Sequence, residues 1–187
     1  MALIRGSFFP HVLFALDRHG VREEVSAAIA SSTRLILDAA DASTWYDEGH
    51  AVEIYETALR LRDLAFVREL GRDAVGHAMT SSWREMMQVL VSLIGATPRL
   101  ALEQLPVLWN STRRDAGQVR CVESTTRNAK SELRGFPYTT SEAWNEVWAA
   151  HHDALLLHLR FSGNSTIEAV VPDEGMIQIR TVWDGPG

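Results

Sequence analysis

The sequence contains only one cysteine, Cys121, among its 187 residues. A disulfide within the chain is therefore excluded, and we interpret Cys121 as a small apolar residue of a strand. Long hydrophobic runs are also missing, because every apolar stretch is interrupted well short of the ~20 residues that cross a bilayer. The first residues lack the charged region and apolar core of a signal peptide. We expect a cytoplasmic protein with no membrane span.

Positive charge is scarce as well. The chain has 18 Lys and Arg residues against 24 Asp and Glu residues, which gives a formal net charge of -6. The field of such a molecule repels phosphate backbones, so we do not expect nucleic acid as a partner. Arg113, Arg114 and Arg120 do gather in one place. The acidic balance around them favours solvated surface rather than a phosphate site.

Motifs of catalysis, of metal binding and of nucleotide binding are absent. There is no Gly-x-Ser-x-Gly, no Gly-x-x-x-x-Gly-Lys and no Gly-x-Gly-x-x-Gly. One predicted helix contains His151, His152 and His158, but no two of them have the i, i+4 spacing that would let both bind the same metal ion. We therefore predict surface or hydrogen-bonded core histidines. Glu142 and Glu146 are predicted to stabilise the start of that helix rather than to act as an acid-base pair. No catalytic or metal-binding residue is predicted, and an enzyme ranks last.

Helix signals fill roughly the first two thirds of the chain. Apolar residues recur at helical spacing, with capping or breaking residues between the segments. Gly71 and Gly76 interrupt one segment, where they lower its helix propensity or mark close helix packing. Pro106 is predicted to bend or fray the last helix of this region. The predicted helices cover about Phe8–Arg18, Val21–Ala30, the segment after Asp47, Leu64–Met79, Trp83–Ile94 and Pro98–Leu108.

Strand signals gather near the end. Val119, Cys121 and Glu123 alternate with polar neighbours, Ser141 starts a long helix that runs to about Arg160, and a hairpin closes the chain. The hairpin strands are predicted over Thr166–Val171 and Met176–Trp183. This order predicts an α+β class: a helical part, then a small antiparallel sheet with a long helix and a C-terminal hairpin. We expect a single domain over residues 1–187, with a mainly helical part over 1–110, a strand-helix-hairpin part over 111–183 and a tail over 184–187.

Tryptophan is the most informative residue type that is present. The chain has six tryptophans, and most lie beside apolar runs, which indicates core positions. Tryptophans packed between helices and a sheet can also wall a cavity for an apolar ligand. A ligand cavity is therefore the best chemical hypothesis that the residues themselves offer.

Three stretches resemble corresponding parts of the haem-nitric-oxide-binding family. They are Ile4-Arg5-Gly6-Ser7, Arg68-Glu69-Leu70-Gly71-Arg72 and Gly95-Ala96-Thr97-Pro98-Arg99-Leu100. The resemblance spans most of the chain, and it implies a helical region followed by a helix and antiparallel strands. Leu105-Pro106-Val107-Leu108-Trp109-Asn110 is similar to an uncharacterised family of myxobacteria, which resembles the same fold without the haem signature. We take the latter as the nearer resemblance.

The sequence departs from the haem-binding members at two places. Where the resemblance implies an iron-binding histidine, this chain has Met86, with Glu85 and Met87 beside it. Where it implies the Tyr-x-Ser-x-Arg motif for the haem propionates, the chain has Glu123-Ser124-Thr125-Thr126-Arg127, and a carboxylate at Glu123 would repel propionates. Haem is therefore disfavoured as the cofactor, although methionine can ligate it.

These observations predict a sensory or regulatory domain that binds a small apolar molecule or a signalling protein and performs no chemistry. The residues predicted to line the ligand pocket are Trp83, Met86, Met87, Leu90 and Trp109, with Arg127 as an anion contact at the rim. One alternative is a haem-based gas sensor in which Met86 is the axial ligand. Another is an oligomerising adaptor, for instance a homodimer.

Overall fold

The structure, a computed structural model, describes residues 1–81, 84 and 97–186. The described part confirms the predicted α+β class, because it combines helices with two antiparallel sheets. The helices are α1 (Phe9–Arg18), α2 (Arg22–Ala28), α3 (Ser31–Ala39), α4 (Gly49–Leu61), α5 (Leu64–Thr80), α6 (Pro98–Glu103), α7 (Leu105–Thr112) and α8 (Glu142–His158). The strands are β1 (Leu3–Arg5), β2 (Trp45–Asp47), β3 (Arg113–Arg114), β4 (Gln118–Ser124), β5 (Asn128–Arg134), β6 (Phe161–Val171) and β7 (Met176–Pro186).

The smaller sheet joins distant parts of the chain. Its strand order is β2-β1-β3, so β1 lies between two antiparallel neighbours. Ile4 in β1 pairs with Tyr46 on one side and with Arg113 on the other. The larger sheet has the order β4-β5-β7-β6 and is antiparallel throughout. The smaller sheet thereby places the end of α7 beside the start of α4.

Helices α5 and α8 pack closely against each other. A Cβ atom added at Gly71 in α5 would lie 3.2 Å from the Ala150 Cβ atom and 3.3 Å from the Val147 Cα atom of α8. Arg68, one turn earlier, ties the same helices together, because its Nη1 and Nε atoms lie 2.9 Å from Glu146 and 2.9 Å from Asp153. The predicted close packing is therefore confirmed at Gly71.

Local capping signals fix where the long helices begin. Ser141 accepts a hydrogen bond from the Trp144 N–H at the start of α8, as the sequence predicts. Asp63 caps α5 in the same way through the Phe66 N–H. Asp47 does not cap α4, since Glu48 is the N-cap residue, but the Asp47 carboxylate accepts a hydrogen bond from the Gly49 N–H at 2.9 Å.

Several elements differ from the sequence-based predictions. The predicted helix Val21–Ala30 does end before Ser31, but a helix that was not predicted, α3, begins there, and Trp45–Asp47, where no strand was predicted, forms β2. The helix predicted through Pro106 is two helices, since proline removes a backbone donor and starts α7 more readily than it continues α6. β6 and β7 are longer than predicted, so residues 163–165 are strand rather than turn. Residues 184–186, predicted as a tail, belong to β7.

No helix within the described ranges is long and apolar enough to cross a bilayer. The segment Trp83–Ile94, predicted as a central buried helix, lies almost entirely outside the described residues.

Candidate functional site

A small interior cavity lies between α5, α7 and α8. The space that the centre of a water-sized molecule can reach measures about 20 Å³, which is room for one such molecule. The walls are mainly apolar, and one buried cation, Arg113, lies at the end of α7. The lining residues are Val75 and Met79 from α5, Leu105, Leu108, Trp109 and Thr112 from α7, Arg113, and Trp148, His151 and Leu155 from α8.

A second void of about 10 Å³ shares Trp109, Arg113, Trp148 and His151 with the first. Trp109 contacts Trp148 edge to face, with the ring centroids 4.9 Å apart. It also contacts Phe136 edge to face, with the centroids 5.9 Å apart. Such edge-to-face contacts are the favoured geometry for buried aromatic rings. The two voids therefore share an aromatic wall that includes Trp109 and Trp148.

Three ring nitrogens at this site have no hydrogen-bond partner among the described residues. They are Trp109 Nε1, Trp148 Nε1 and His151 Nε2, and all three atoms are shielded from solvent. An unmade hydrogen bond at a buried polar atom costs about 1–3 kcal/mol, so most such atoms in proteins are paired with protein or water. All three residues also line the cavity, which admits one water-sized molecule.

His151 is neutral at this site. Burial, reinforced by the nearby Arg113 charge, lowers its pKa to about 3. Its Nδ1 atom lies 2.6 Å from the Val147 carbonyl oxygen, which can only accept, so Nδ1 carries the proton. Nε2 therefore has a free lone pair. The residues that line the cavity thus include two with an unpartnered indole N–H donor, Trp109 and Trp148, and one with an unpartnered imidazole acceptor.

Arg113 owes its position to the smaller sheet. It is the first residue of β3, and pairing with Ile4 brings it near Glu48, which follows β2 directly. The Arg113 Nε atom donates to Glu48 Oε1 at 2.8 Å, and its guanidinium carbon lies 4.2 Å from the centroid of the Trp109 ring. The positive charge is therefore held by a carboxylate on one side and an aromatic face on the other.

Two of the predicted pocket residues, Trp109 and Arg127, are among the described residues, and of these Trp109 lines the cavity. Trp83, Met86, Met87 and Leu90 lie outside the described residues. Arg127 lies exposed in the turn between β4 and β5 and is not among the residues that line the cavity.

The buried cation of the site is Arg113 instead. Its prediction as solvated surface is wrong, since the residue is 5% exposed. No local signal distinguishes Arg113 from Arg114, because the pairing partner, Glu48, is 65 residues away.

A haem does not fit among the described residues of this site. The cavity admits one water-sized molecule, whereas pockets for larger ligands measure about 300–1,000 Å³. The neighbouring space is occupied by the Trp109 ring, which contacts both Trp148 and Phe136. Glu123 lies on the exposed side of β4, where Arg180 reaches it at 3.5 Å. Within the described ranges, no three His, Cys, Asp or Glu side chains are grouped to hold a metal ion.

Known proteins resemble this chain in structure but not in sequence. No family model matches it, and no curated protein is significantly similar in sequence. The Fe(II) unliganded H-NOX protein of K. algicida superposes with a TM-score of 0.68 at 10% identity, covering 97% of this chain and 97% of that one.

Two further solved structures give the same result. An oxygen-binding H-NOX domain related to soluble guanylate cyclases, in its oxygen complex, gives a TM-score of 0.66 at 9% identity over 98% of this chain and 96% of that one. A variant of T. tengcongensis H-NOX gives 0.66 at 10% identity over 98% and 99%. The resemblance inferred from the sequence is thereby confirmed at the level of the fold: the chain has the H-NOX fold over nearly its whole length.

Proposed function

We propose that this chain is a sensory or regulatory domain that takes up a small ligand in the interior cavity and performs no chemistry on it. The observation that carries the proposal is the set of three unpartnered ring nitrogens of Trp109, Trp148 and His151. Most buried polar atoms in proteins are paired, and here three unpartnered ones belong to residues that line a single cavity. The fold supports the proposal, because one of the similar structures is an oxygen-binding domain related to soluble guanylate cyclases.

The walls define the chemical class of the ligand. Val75, Leu105 and Leu108 offer apolar surface, while the indoles of Trp109 and Trp148 offer hydrogen-bond donors. A small, mainly apolar and uncharged molecule with a hydrogen-bond acceptor for the indoles and a donor for His151 Nε2 satisfies both. Arg113 does not require an anionic ligand, because the Glu48 carboxylate already neutralises its charge. Anything larger than a few atoms requires the rings of Trp109 and Trp148 to move apart.

The test combines two measurements on the purified protein. The indole N–H signals are recorded by NMR before and after any bound small molecule is extracted, and the extract is analysed by mass spectrometry. We expect a released small molecule, and we expect the Trp109 and Trp148 signals to move on extraction and return when the extract is added back. Trp45 is the internal control, since its ring is partly exposed and is covered by Arg114 at 4.1 Å, away from the cavity. An extract without any small molecule, together with unmoved indole signals, would overturn the ligand proposal.

Docking on a signalling partner and self-association are the rival proposals. An oligomerising adaptor predicts a stable oligomer in solution and indole signals that are indifferent to extraction. Light scattering across a range of protein concentrations separates it from the ligand-binding domain, for which we expect the indole response in whichever oligomeric state is found.

A further inference from the structure

A larger groove opens on the outside of the molecule between α1, α5 and α8. Its volume is about 350 Å³, which lies within the range of small-molecule sites. Phe14 comes from α1, Arg72, Gly76 and His77 from α5, and Leu157 from α8. None of its lining residues belongs to the interior cavity, so the groove is a separate place on the molecule.

Gly76 in this groove has no packing reason to be glycine. A Cβ atom added there meets no atom of the described residues within 4 Å, whereas one added at Gly71, on the same helix, would lie 3.3 Å from the Val147 Cα atom. Glycine inside a helix costs about 0.8–1 kcal/mol relative to alanine. The bare backbone at Gly76 keeps the groove deep, and glycine is the residue that lets a ligand approach a backbone closely.

The groove also carries uncompensated positive charge. Asp73, its acidic residue, is already held by Arg18 at 3.4 Å and by His19 at 3.0 Å. Arg72 makes no ion pair with any residue in the described ranges, although the chain as a whole has a net charge of -6. An unpaired arginine beside a partly enclosed groove, on an acidic molecule, is suited to an anion.

Two large apolar side chains, Phe14 and Leu157, line the groove together with Gly76. The Phe14 ring stacks on the His77 ring, with the centroids 3.9 Å apart and the planes 10° apart, which makes a flat wall. Phe14 is 39% exposed, and Leu157, which also lines the groove, is 59% exposed. Two large apolar side chains left in water at one groove suit a ligand whose apolar body covers them.

We propose that this groove is a binding site for a small amphipathic organic anion. The apolar body of the ligand lies over Gly76 between Phe14 and Leu157, and its anionic group forms a charge-assisted hydrogen bond with Arg72. A carboxylate and a phosphate both satisfy this chemistry. The site does not depend on the interior cavity, so it holds whether or not that cavity takes a ligand.

The test uses the full chain and the fluorescent probe anilinonaphthalenesulfonate, an aromatic anion of this class. We expect saturable binding to the wild-type protein. Arg72→Gln should weaken binding about tenfold or more, because hydrogen bonds to charged groups contribute about 1.5–3 kcal/mol. Gly76→Leu should abolish binding by filling the groove without disturbing the helix. Competition by octanoate or by octyl phosphate then distinguishes the two anionic groups.

Two variants on α3 serve as matched controls. Arg34→Gln removes the same charge from an exposed site, and Ser32→Leu adds the same side chain to an exposed site. Both should bind the probe as the wild type does, and circular dichroism should show all four variants folded. The proposal is overturned if the wild type does not bind saturably, if Gly76→Leu binds normally, or if the controls lose as much affinity as the groove variants.

Discussion

Arg113 and Glu48 form an ion pair that is almost completely enclosed, with side chains 3% and 0% exposed. The pair joins the end of α7 to the start of α4. Glu48 Oε1 accepts from Arg113 Nε, whereas Glu48 Oε2 has no hydrogen-bond partner among the described residues. Burial raises the pKa of Glu48, and the adjacent Arg113 charge opposes that rise. The Arg113 charge is therefore the main interaction that stabilises the charged form of Glu48 at this buried position.

Removing the charge of Glu48 should destabilise the fold strongly. Glu48→Gln leaves the Arg113 charge buried without a counter-ion, and breaking one side of a buried pair typically costs about 3–5 kcal/mol. Urea unfolding of the variant and the wild type at neutral pH measures the difference in the free energy of unfolding.

Glu24→Gln is the matched control for Glu48→Gln. Glu24 pairs with Arg62 at 3.0 Å, but the two side chains are 49% and 40% exposed. Exposed pairs contribute about 0–1 kcal/mol, so this variant should unfold close to the wild type. A loss at Glu48 no greater than the loss at Glu24 would contradict the role given to the buried pair.

Buried histidines should make stability depend on pH. Burial lowers the pKa of His152 to about 4, and that of His151 to about 3. The unfolded chain takes up these protons near the ordinary histidine pKa of about 6.5, whereas the folded chain does not until the pH is much lower. The unfolded state therefore binds more protons in this window, and stability that is complete above about pH 6.5 is lost as the pH falls towards 4.

His152→Leu isolates one of these contributions. Within this window each buried histidine removes about 1.4 kcal/mol of stability for each pH unit. The variant should therefore lose about 1.4 kcal/mol less than the wild type between about pH 5.5 and about pH 4.5. Urea unfolding at the two pH values gives the comparison, and equal losses in both proteins would show that His152 is not buried in its neutral form.

Sequence patterns predicted those parts of the fold that depend on neighbours in the chain. The serine at Ser141 and the apolar spacing after it specify α8, because capping and helix periodicity act within a few residues. The short strands β1, β2 and β3 escaped prediction for the opposite reason. Each has two or three residues and exists only because pairing across more than 40 residues satisfies its backbone.

The candidate site also contains residues that neighbouring sequence predicts and residues whose position depends on distant parts of the chain. Trp109 was predicted as a pocket residue, since tryptophan beside an apolar run indicates burial. Arg113 was not predicted, because its burial depends on Glu48, which belongs to a distant part of the chain. His151 was not predicted either, because it packs beside Trp148 on a face of α8 that helical spacing alone does not identify. Two adjacent histidines on a helix look alike in sequence, yet only His151 lines the cavity.

The two glycines of α5 should respond oppositely to alanine. Gly76→Ala should raise the free energy of unfolding by about 0.8–1 kcal/mol, because a Cβ there meets no atom of the described residues within 4 Å. Gly71→Ala gains the same helix propensity but presses on α8, and overpacking in a core typically costs about 1–3 kcal/mol. Urea unfolding should therefore place Gly71→Ala at least about 1 kcal/mol below Gly76→Ala. Identical stabilities would mean that α8 moves away from the added methyl group at Val147 without a measurable loss of stability.

Haem added to the purified protein should give only the broad absorption of free haem, without the sharp and shifted Soret band of a bound haem. The interior cavity has room for one water-sized molecule, and Glu123, where the resemblance implies a tyrosine beside the propionates, lies on the exposed side of β4. Absorption spectra of the wild type, Met86→Ala and His151→Ala after haem addition measure this directly. A wild-type band that is lost in Met86→Ala would establish the haem sensor with a methionine ligand. A band lost only in His151→Ala would instead identify the unpartnered Nε2 atom as the iron ligand and require the rings of Trp109 and Trp148 to separate.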